Sequence, residues 1–380
     1  MTRMVVFSAD NGYIEQLTTA IKSLIYYNHD LTIGVFNADI PQEWFLKLNN
    51  DYRAVGVQIK NLKLAPEVLA GKPVSRTHID PMTYARLLIP ERLTAARVLY
   101  LDSDLVVNGP LDELFNLDLA GNLIGAVTDY AVPESFNAGV LLIDNAKLRQ
   151  IDGLTARWLA EADQGLANDD QTILNHYFGD HYFRLPDTYN LCLGTYATAS
   201  YYQKPLFPQI KERFRRAQPY RILHYDTVLK PWHEVSTGIL RQRWWQYNAL
   251  TPGAVVDHAP LPNFWEQKRG NLWISTYTQD LPEIKTLVQA LPDCCFYITA
   301  PTNMGTILLD MMRYPNVRLY PAAINENIDE IITKLDAYLD INLGPKDQKA
   351  LERVRQAGIP ILRLDDGGAP ALIAKIRALL

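Results

Sequence analysis

Two acids stand two residues apart in Val98-Leu99-Tyr100-Leu101-Asp102-Ser103-Asp104-Leu105-Val106-Val107, at the end of an apolar run. Side chains alternate along an extended chain, so both carboxylates face the same way if the strand continues through Asp104. Like charges on one side repel, and a hard divalent cation with oxygen ligands relieves the repulsion. An Asp-x-Asp also arises by chance about once in a chain this long. Its weight comes from its place at the end of a buried strand, where α/β domains bind ligands. A second group follows in Ile222-Leu223-His224-Tyr225 and Lys230-Pro231-Trp232-His233. A single histidine is more often an ordinary core or surface residue. Imidazole beside carboxylates, however, suits Mn²⁺ better than Ca²⁺. A lysine on a loop stiffened by proline suits phosphate oxygens as a point charge. Asn168-Asp169-Asp170-Gln171 opens the helical run Thr172–Phe178, and its plain reading is helix capping. Phe136-Asn137-Ala138-Gly139 leads into a buried strand with small residues that let a ligand approach the backbone, although simple turn chemistry accounts for them too.

The elements that must position these residues alternate strand and helix. Met4–Ser8, Leu31–Phe36, Val55–Ile59, Arg97–Leu101, Asn122–Val127 and Gly139–Ile143 read as strands. Tyr13–Tyr27 has helical periodicity, Pro41 opens a helix through Leu48, and Pro81–Leu88 reads as a helix. This order predicts an α/β domain with a largely parallel sheet. Pro252, Pro260 and Pro262 mark a linker over Thr251–Asn263. Beyond it a second α/β rhythm runs through the strands Leu272–Thr276, Cys295–Thr299, Val317–Tyr320, Ala337–Ile341 and Ile359–Arg363, closing with a helix over Pro370–Leu380. The domain division is 1–250, a linker over 251–268, and 269–380.

With 380 residues, two domains are expected. The 37 basic and 42 acidic residues leave a formal charge of −5, which argues against a nucleic-acid partner. Cys192, Cys294 and Cys295 are too few and too oddly placed for a disulfide framework. The first ten residues have too short an apolar run for a signal peptide, and no stretch approaches the ~18 apolar residues of a membrane span. A cytoplasmic protein is expected, with room for peripheral contact at the inner face of the cell membrane and for homo-oligomers. Arg241, Arg243, Trp244, Trp245 and Tyr247 form a basic-aromatic cluster that fits core packing, a seam between domains or a membrane-surface patch. There is no Gly-x-Gly-x-x-Gly after a strand, no Walker loop, no His-Glu-x-x-His and no Gly-x-Ser-x-Gly. Dinucleotide oxidoreductases, P-loop enzymes, zincins and α/β-hydrolases lose support.

Taken in this order, the segments over residues 1–245 resemble the family 8 retaining glycosyltransferases, which include glycogenin, bacterial lipopolysaccharide α-galactosyl- and glucosyltransferases, and enzymes that glycosylate serine-rich-repeat adhesins. The resemblance implies a GT-A nucleotide-sugar-binding domain, followed by a smaller Rossmann-like α/β domain similar to half of a GT-B enzyme. Ser8-Ala9-Asp10-Asn11-Gly12-Tyr13 matches the first-strand loop, where Asp10 would hold the uracil, Tyr13 would stack on it and Asn11 would lie beside it. Thr83-Tyr84-Ala85-Arg86-Leu87 matches the segment whose arginine contacts the donor sugar or diphosphate. Asp102 and Asp104 match the metal-binding pair, with Ser103 between them on the nucleotide side, and His224 matches the third ligand, for Mn²⁺ or Mg²⁺. Asp129, Asn137 and Ala138 match positions lining the donor sugar. Asp170 and Gln171 match the pair beneath the anomeric carbon, and Lys230 matches the diphosphate-binding lysine. A glycine common between that histidine and lysine is replaced here by Tyr225-Asp226-Thr227-Val228-Leu229.

The implied activity is metal-dependent, retaining transfer of a hexose from a UDP-sugar to a glycan or glycoprotein acceptor. Retention by double displacement needs a carboxylate nucleophile, and the matched position, Gln171, is an amide. A front-face mechanism is therefore expected, with the leaving phosphate helping to deprotonate the acceptor and with Asp129 and Asp170 stabilising the cationic sugar. Asp336-Ala337-Tyr338-Leu339-Asp340-Ile341-Asn342-Leu343-Gly344 looks like a strand of the accessory domain in adhesin-glycosylating enzymes. That likeness points to glucose added to GlcNAc O-linked to a serine-rich-repeat adhesin. Lipopolysaccharide or cell-wall glycan synthesis is the alternative acceptor class, and a non-catalytic scaffold or chaperone subunit is the alternative of a different kind.

Overall fold

The computed structural model describes residues 3–72, 80–163, 169–233, 235, 238–264 and 268–380. Contacts divide the chain into two compact units. The first comprises Met1–Tyr196, Pro205–Pro231 and Leu240–Pro262; the second comprises Ala197–Lys204, Trp232–Ile239 and Asn263–Leu380.

The first unit holds strands β1 (Arg3–Ser8), β2 (Leu31–Asn37), β3 (Gln58–Lys63), β4 (Val98–Leu101), β5 (Leu105–Val107), β6 (Ile124–Thr128), β7 (Phe136–Ile143), β8 (Phe183–Arg184), β9 (Leu191–Cys192) and β10 (Ile222–His224). Seven of them form one sheet in the order β3-β2-β1-β4-β7-β6-β8, and the other three form a small sheet in the order β5-β10-β9. The large sheet is mixed, because β7 runs antiparallel to both β4 and β6. Its interior residues are fully buried on both faces, as expected for strands covered by helices. The helix Ile14–Tyr27 buries Leu17, Ile21, Leu24 and Ile25, its periodic apolar stripe.

Several local readings shift, each for a physical reason. The third strand begins at Gln58 rather than Val55, because Arg53–Val55 is a single tight turn closed by Gly56 at φ 69°. The run Pro81–Leu88 is a 3₁₀ helix. Pro90 has no N–H to close an α-type bond on the Arg86 carbonyl, and Ile89 N–H takes that acceptor instead. The strand carrying the two acids does not continue through Asp104. It stops at Leu101, turns over Ser103-Asp104, and re-enters as β5 in the other sheet. Within the stretch read as a linker, Pro252–Val256 forms a helix capped by Thr251, with Val255 buried; 265–267 of that stretch lie outside the described residues. In the basic-aromatic cluster, Trp244 and Tyr247 are core residues, and Tyr247 donates to Asn108 Oδ1 (3.1 Å).

The second unit has a five-stranded, wholly parallel sheet of β11 (Gly270–Ser275), β12 (Cys294–Thr299), β13 (Val317–Tyr320), β14 (Ala337–Asp340) and β15 (Ile361–Arg363). The order is β13-β12-β11-β14-β15, a Rossmann-like arrangement. Alternate residues feed two cores: Leu272, Ile274 and Phe296 on one face, Trp273, Tyr297 and Tyr338 on the other. The three cysteines are buried and unpaired. Among the described residues, no helix is long and apolar enough to cross a membrane.

Candidate active site

Where β4 leaves the large sheet, the Asp102 carboxylate meets Asp104 from the following turn and His224 from the end of β10. One ligand atom from each lies within 4.8 Å of the others. His224 Nε2 is 3.0 Å from Asp104 Oδ1 and 3.8 Å from Asp102 Oδ2. The histidine tautomer follows from its neighbours. Asn137 Oδ1 accepts from Gly139 N–H (3.0 Å) and from Asn190 Nδ2 (2.8 Å), which turns the carbonyl of Asn190 toward the ring. His224 Nδ1–H donates to Asn190 Oδ1 (2.9 Å). Nε2 is thereby aimed at two carboxylates, with the buried Asp104 Oδ1 the nearer. An imidazole and two carboxylates converging on one point are a donor set for a divalent cation once the ring gives up its Nε2 proton. Burial works against charge on His224, but Asp104, Asp226 and Asp102 raise its pKa. Burial likewise opposes the Asp104 carboxylate, and Lys230 and His224 more than offset it, holding its pKa far below the ordinary range.

Gly139 on β7 makes room for this cluster. A Cβ there would lie 2.3 Å from His224 Cε1 and 2.9 Å from Asp102 Oδ2. The small residue thus serves side chains of the site itself. Gly139→Ala is expected to weaken Mn²⁺ binding at least about tenfold. Titration of free Mn²⁺ by electron paramagnetic resonance, with folding followed by circular dichroism, checks this; unchanged affinity in a folded variant would refute it.

Two cations flank the acids. Lys230 Nζ bonds Asp104 Oδ2 (2.5 Å) and the Tyr225 carbonyl (2.7 Å). Arg86, from the 3₁₀ run, is buried and faces protein groups with three nitrogens: Nη1 donates to Ala138 O (2.5 Å), Nη2 pairs with Asp102 Oδ1 (2.7 Å) and Nε with Asp170 Oδ2 (2.8 Å). These bonds tie Ala138, Asp102 and Asp170 to one side chain. Tyr100 lies under its guanidinium (4.4 Å) and donates its hydroxyl to Asp102 Oδ1 (3.0 Å).

The acidic pair on the helix Asp170–Phe178 divides its labour. Asp169 is the cap, accepting from Thr172 N–H (2.8 Å), while Asp170 turns inward to Arg86 and Thr83; Asn168 lies outside the described residues. Burial pushes the Asp170 carboxyl from 3.8 up to about 6, and Arg86 offsets only part of the rise. A carboxyl raised in the folded state favours folding while protonated. That contribution is complete below its unfolded pKa and is lost as the pH rises through about 6. A shift of this size corresponds to about 3 kcal/mol. Asp170→Asn has no such proton, so its stability relative to the parent chain should rise by about that much between pH 4 and pH 7. Urea unfolding of both proteins at the two pH values reads the difference, and a constant offset would contradict the assignment.

Gln171, partly buried, belongs to the same constellation. Its Oε1 accepts from Ala138 N–H (3.0 Å), and its Nε2 donates to Asp129 Oδ2 (3.3 Å). Asp129 Oδ1 in turn accepts from Ala131 N–H (2.7 Å) and Val132 N–H (3.0 Å). On the first loop, Asp10 Oδ1 accepts from Tyr13 N–H (2.9 Å), and Asn11 N–H donates to Asp39 Oδ1 (2.8 Å). Burial, then the charges of Asp104, Asp102 and Asp10, raise the pKa of the Tyr13 hydroxyl. Ser103 is buried and ties the acid turn to β1 by donating to Ser8 O (2.9 Å).

Residues the sequence did not single out complete the arrangement. Asn190 orients His224, Tyr100 and Thr83 support Asp102 and Asp170, and Asp226 accepts from Gly194 N–H (2.8 Å) and Thr195 N–H (3.2 Å) to pin the loop before Lys230. Only Asp226, two residues beyond His224, carried any local signal.

The sequence pattern of Glycosyl transferase family 8 matches residues 4–236. The chain belongs to this family. It is therefore a glycosyltransferase, and its first unit is the GT-A-like part. A second pattern, the GftB/GlyA-F C-terminal domain, matches residues 272–360. Glycosyltransferase GlyE of Streptococcus pneumoniae TIGR4 is 35% identical over 381 residues, 96% of this chain and 91% of GlyE. The crystal structure of apo GlyE aligns with a TM-score of 0.59 at 31% identity, over 100% of both chains. Galactosyltransferase LgtC, solved with donor and acceptor sugar analogs, aligns with a TM-score of 0.55 at 28% identity, over 69% of this chain and 99% of LgtC. The stabilizing protein GtfB of a Streptococcus pneumoniae UDP-N-acetylglucosamine–peptide N-acetylglucosaminyltransferase is 40% identical over 89 residues, 23% of this chain and 19% of GtfB.

Proposed function

We propose that this family 8 enzyme transfers a hexose, glucose, from its UDP-sugar to a glycan acceptor with retention at the anomeric carbon. The observation that carries this reading is the convergence of Asp102, Asp104 and Nε2 of His224, with Lys230 against the Asp104 carboxylate. Those three residues would hold Mn²⁺ or Mg²⁺, which when bound supplies positive charge for a departing diphosphate. Asp10, Asn11, Tyr13 and Ser103 form the nucleotide side, with Tyr13 stacking on uracil. Lys230 binds diphosphate oxygens. Arg86 acts through the placement of Asp102, Ala138 and Asp170. Asn137 and Ala138 line the sugar, while Asp129 and Asp170 stabilise charge as the glycosidic bond to phosphate breaks. Gln171 is an amide already bonded at both ends. It orients the sugar rather than forming a covalent ester, and the leaving phosphate takes the acceptor proton.

For the acceptor, the likeness to GtfB, the stabilizing protein of a peptide N-acetylglucosaminyltransferase, favours a protein-linked glycan. GlcNAc O-linked to a serine-rich-repeat adhesin is the acceptor proposed. The test is hydrolysis of a UDP-sugar panel with Mn²⁺ and with chelator, followed by NMR of the product anomer on a GlcNAc-bearing peptide. The expected result is turnover with UDP-glucose, abolished by chelator, giving an α-linked product. A β-linked product, a trapped glycosyl-enzyme, or neither turnover nor metal-dependent UDP binding would overturn the mechanism.

A further inference from the structure

Arg213 lies on the helix Phe207–Arg216, 84 residues from Asp129, yet it is built into the support of that residue. Its guanidinium forks onto Asp187, with Nη2 2.6 Å and Nε 3.2 Å from Oδ1. The same group donates from Nη2 to Thr128 O (2.7 Å) and from Nη1 to Asp129 O (3.2 Å). It stacks on Tyr130, with the guanidinium carbon 3.8 Å from the ring centre, and that ring is buried. Three consecutive residues, 128–130, are thus fixed by one side chain, at the end of β6 where the sheet releases the chain.

We propose that Arg213 is a positioning residue for the transfer reaction, acting through Asp129 on Gln171. The inference rests on the sugar-side roles proposed for those two residues. With its carbonyl held, Asp129 can direct one carboxylate oxygen to its own turn (Ala131 and Val132 N–H) and the other to Gln171 Nε2 (3.3 Å). That contact is long, so the amide is held by the placement of the Asp129 backbone more than by a strong bond. Gln171 then accepts from Ala138 N–H, beside the Ala138 carbonyl that Arg86 holds. Among the described residues no bond runs directly from Asp102, Asp104 or His224 to Asp129 or Gln171, and the link between the two groups passes through Arg86, so binding of metal and nucleotide should respond less than the chemical step. A lysine at 213 is no substitute, because one ammonium cannot fork onto a carboxylate, bond two carbonyls and stack on a ring together.

The test uses the full chain, UDP-glucose and Mn²⁺, with variants Arg213→Met, Arg213→Lys and Gln171→Ala and the double variant Arg213→Met/Gln171→Ala. Arg213→Met is expected to lower kcat about 10²-fold, the scale set by a misplacement on the order of 1 Å, and Arg213→Lys about tenfold. Mn²⁺-dependent UDP affinity and the KM for UDP-glucose should stay within about threefold. In the Gln171→Ala background, loss of Arg213 should cost less than about twofold, because residues acting in one line are not additive. Additive losses, a rise in KM in place of a fall in kcat, or loss of Mn²⁺–UDP binding would overturn the positioning role and leave Arg213 a structural clamp. A single Arg213→Lys with parental kcat would do the same. A parent chain silent toward UDP-glucose and every other donor of the panel would instead strike the proposed function, and this inference with it.

Discussion

Asp104→Asn is expected to lower UDP-sugar turnover by about 10²–10³-fold and to abolish the metal dependence of UDP binding. Asparagine keeps the size of the side chain, so the change isolates charge. In the parent chain Asp104 offers one oxygen to Lys230 (2.5 Å) and keeps the other, buried, 3.0 Å from His224 Nε2. An amide can present an oxygen to only one of those partners, so either the cation loses a ligand or Lys230 faces an N–H₂ group. Calorimetry of UDP binding with and without Mn²⁺ separates the two losses from misfolding, which would abolish binding in both conditions. Turnover within threefold of the parent chain would show that Asp104 holds no metal needed for transfer.

The largest expected effect on stability is at Arg86. Arg86→Met should cost about 3–5 kcal/mol, because it leaves two carboxylates, Asp102 and Asp170, without their buried cation. Burial by itself disfavours charge on Arg86, and Asp102 first, then Asp170, restore it. Methionine fills similar space, so the loss is electrostatic more than a cavity effect. Arg86→Lys should recover only part, since an ammonium replaces a fork that also reaches the Ala138 carbonyl. Urea unfolding with a constant m-value reads the difference. A cost under 1 kcal/mol for Arg86→Met would mean that Asp170 takes up a proton and remains buried at no further expense.

Many of these features could be read from residue types and spacing. Strands buried on both faces are apolar runs, so β1, β2, β4, β7 and most of the second sheet announce themselves. Asp102, Asp104, His224 and Lys230 stand at the ends of such runs or on the loops that follow them, where a chain leaving a sheet is free to carry polar groups. The division of Asp169 from Asp170 was less legible. Both are acids before a helix, and only the direction each takes at the first turn makes one a cap and the other a partner of Arg86.

By itself, then, the sequence carried the ordered motifs that resemble the family, while periodicity and polar residues at strand ends, which are local properties, determined most strands and helices and the chemical types at the site. The tertiary structure alone decided how the types combine. The acids converge not along a continuing strand but because the chain turns between two sheets, with β10 bringing His224 alongside β5. The histidine tautomer depends on Asn190, which the pairing of β9 with β10 carries to it. Arg86 holds protein carboxylates because burial leaves it no solvent to face. The bond partners of Arg213 come from positions 26, 84 and 85 residues away. Contacts at such separations depend on how elements pack, and no window of sequence contains both partners.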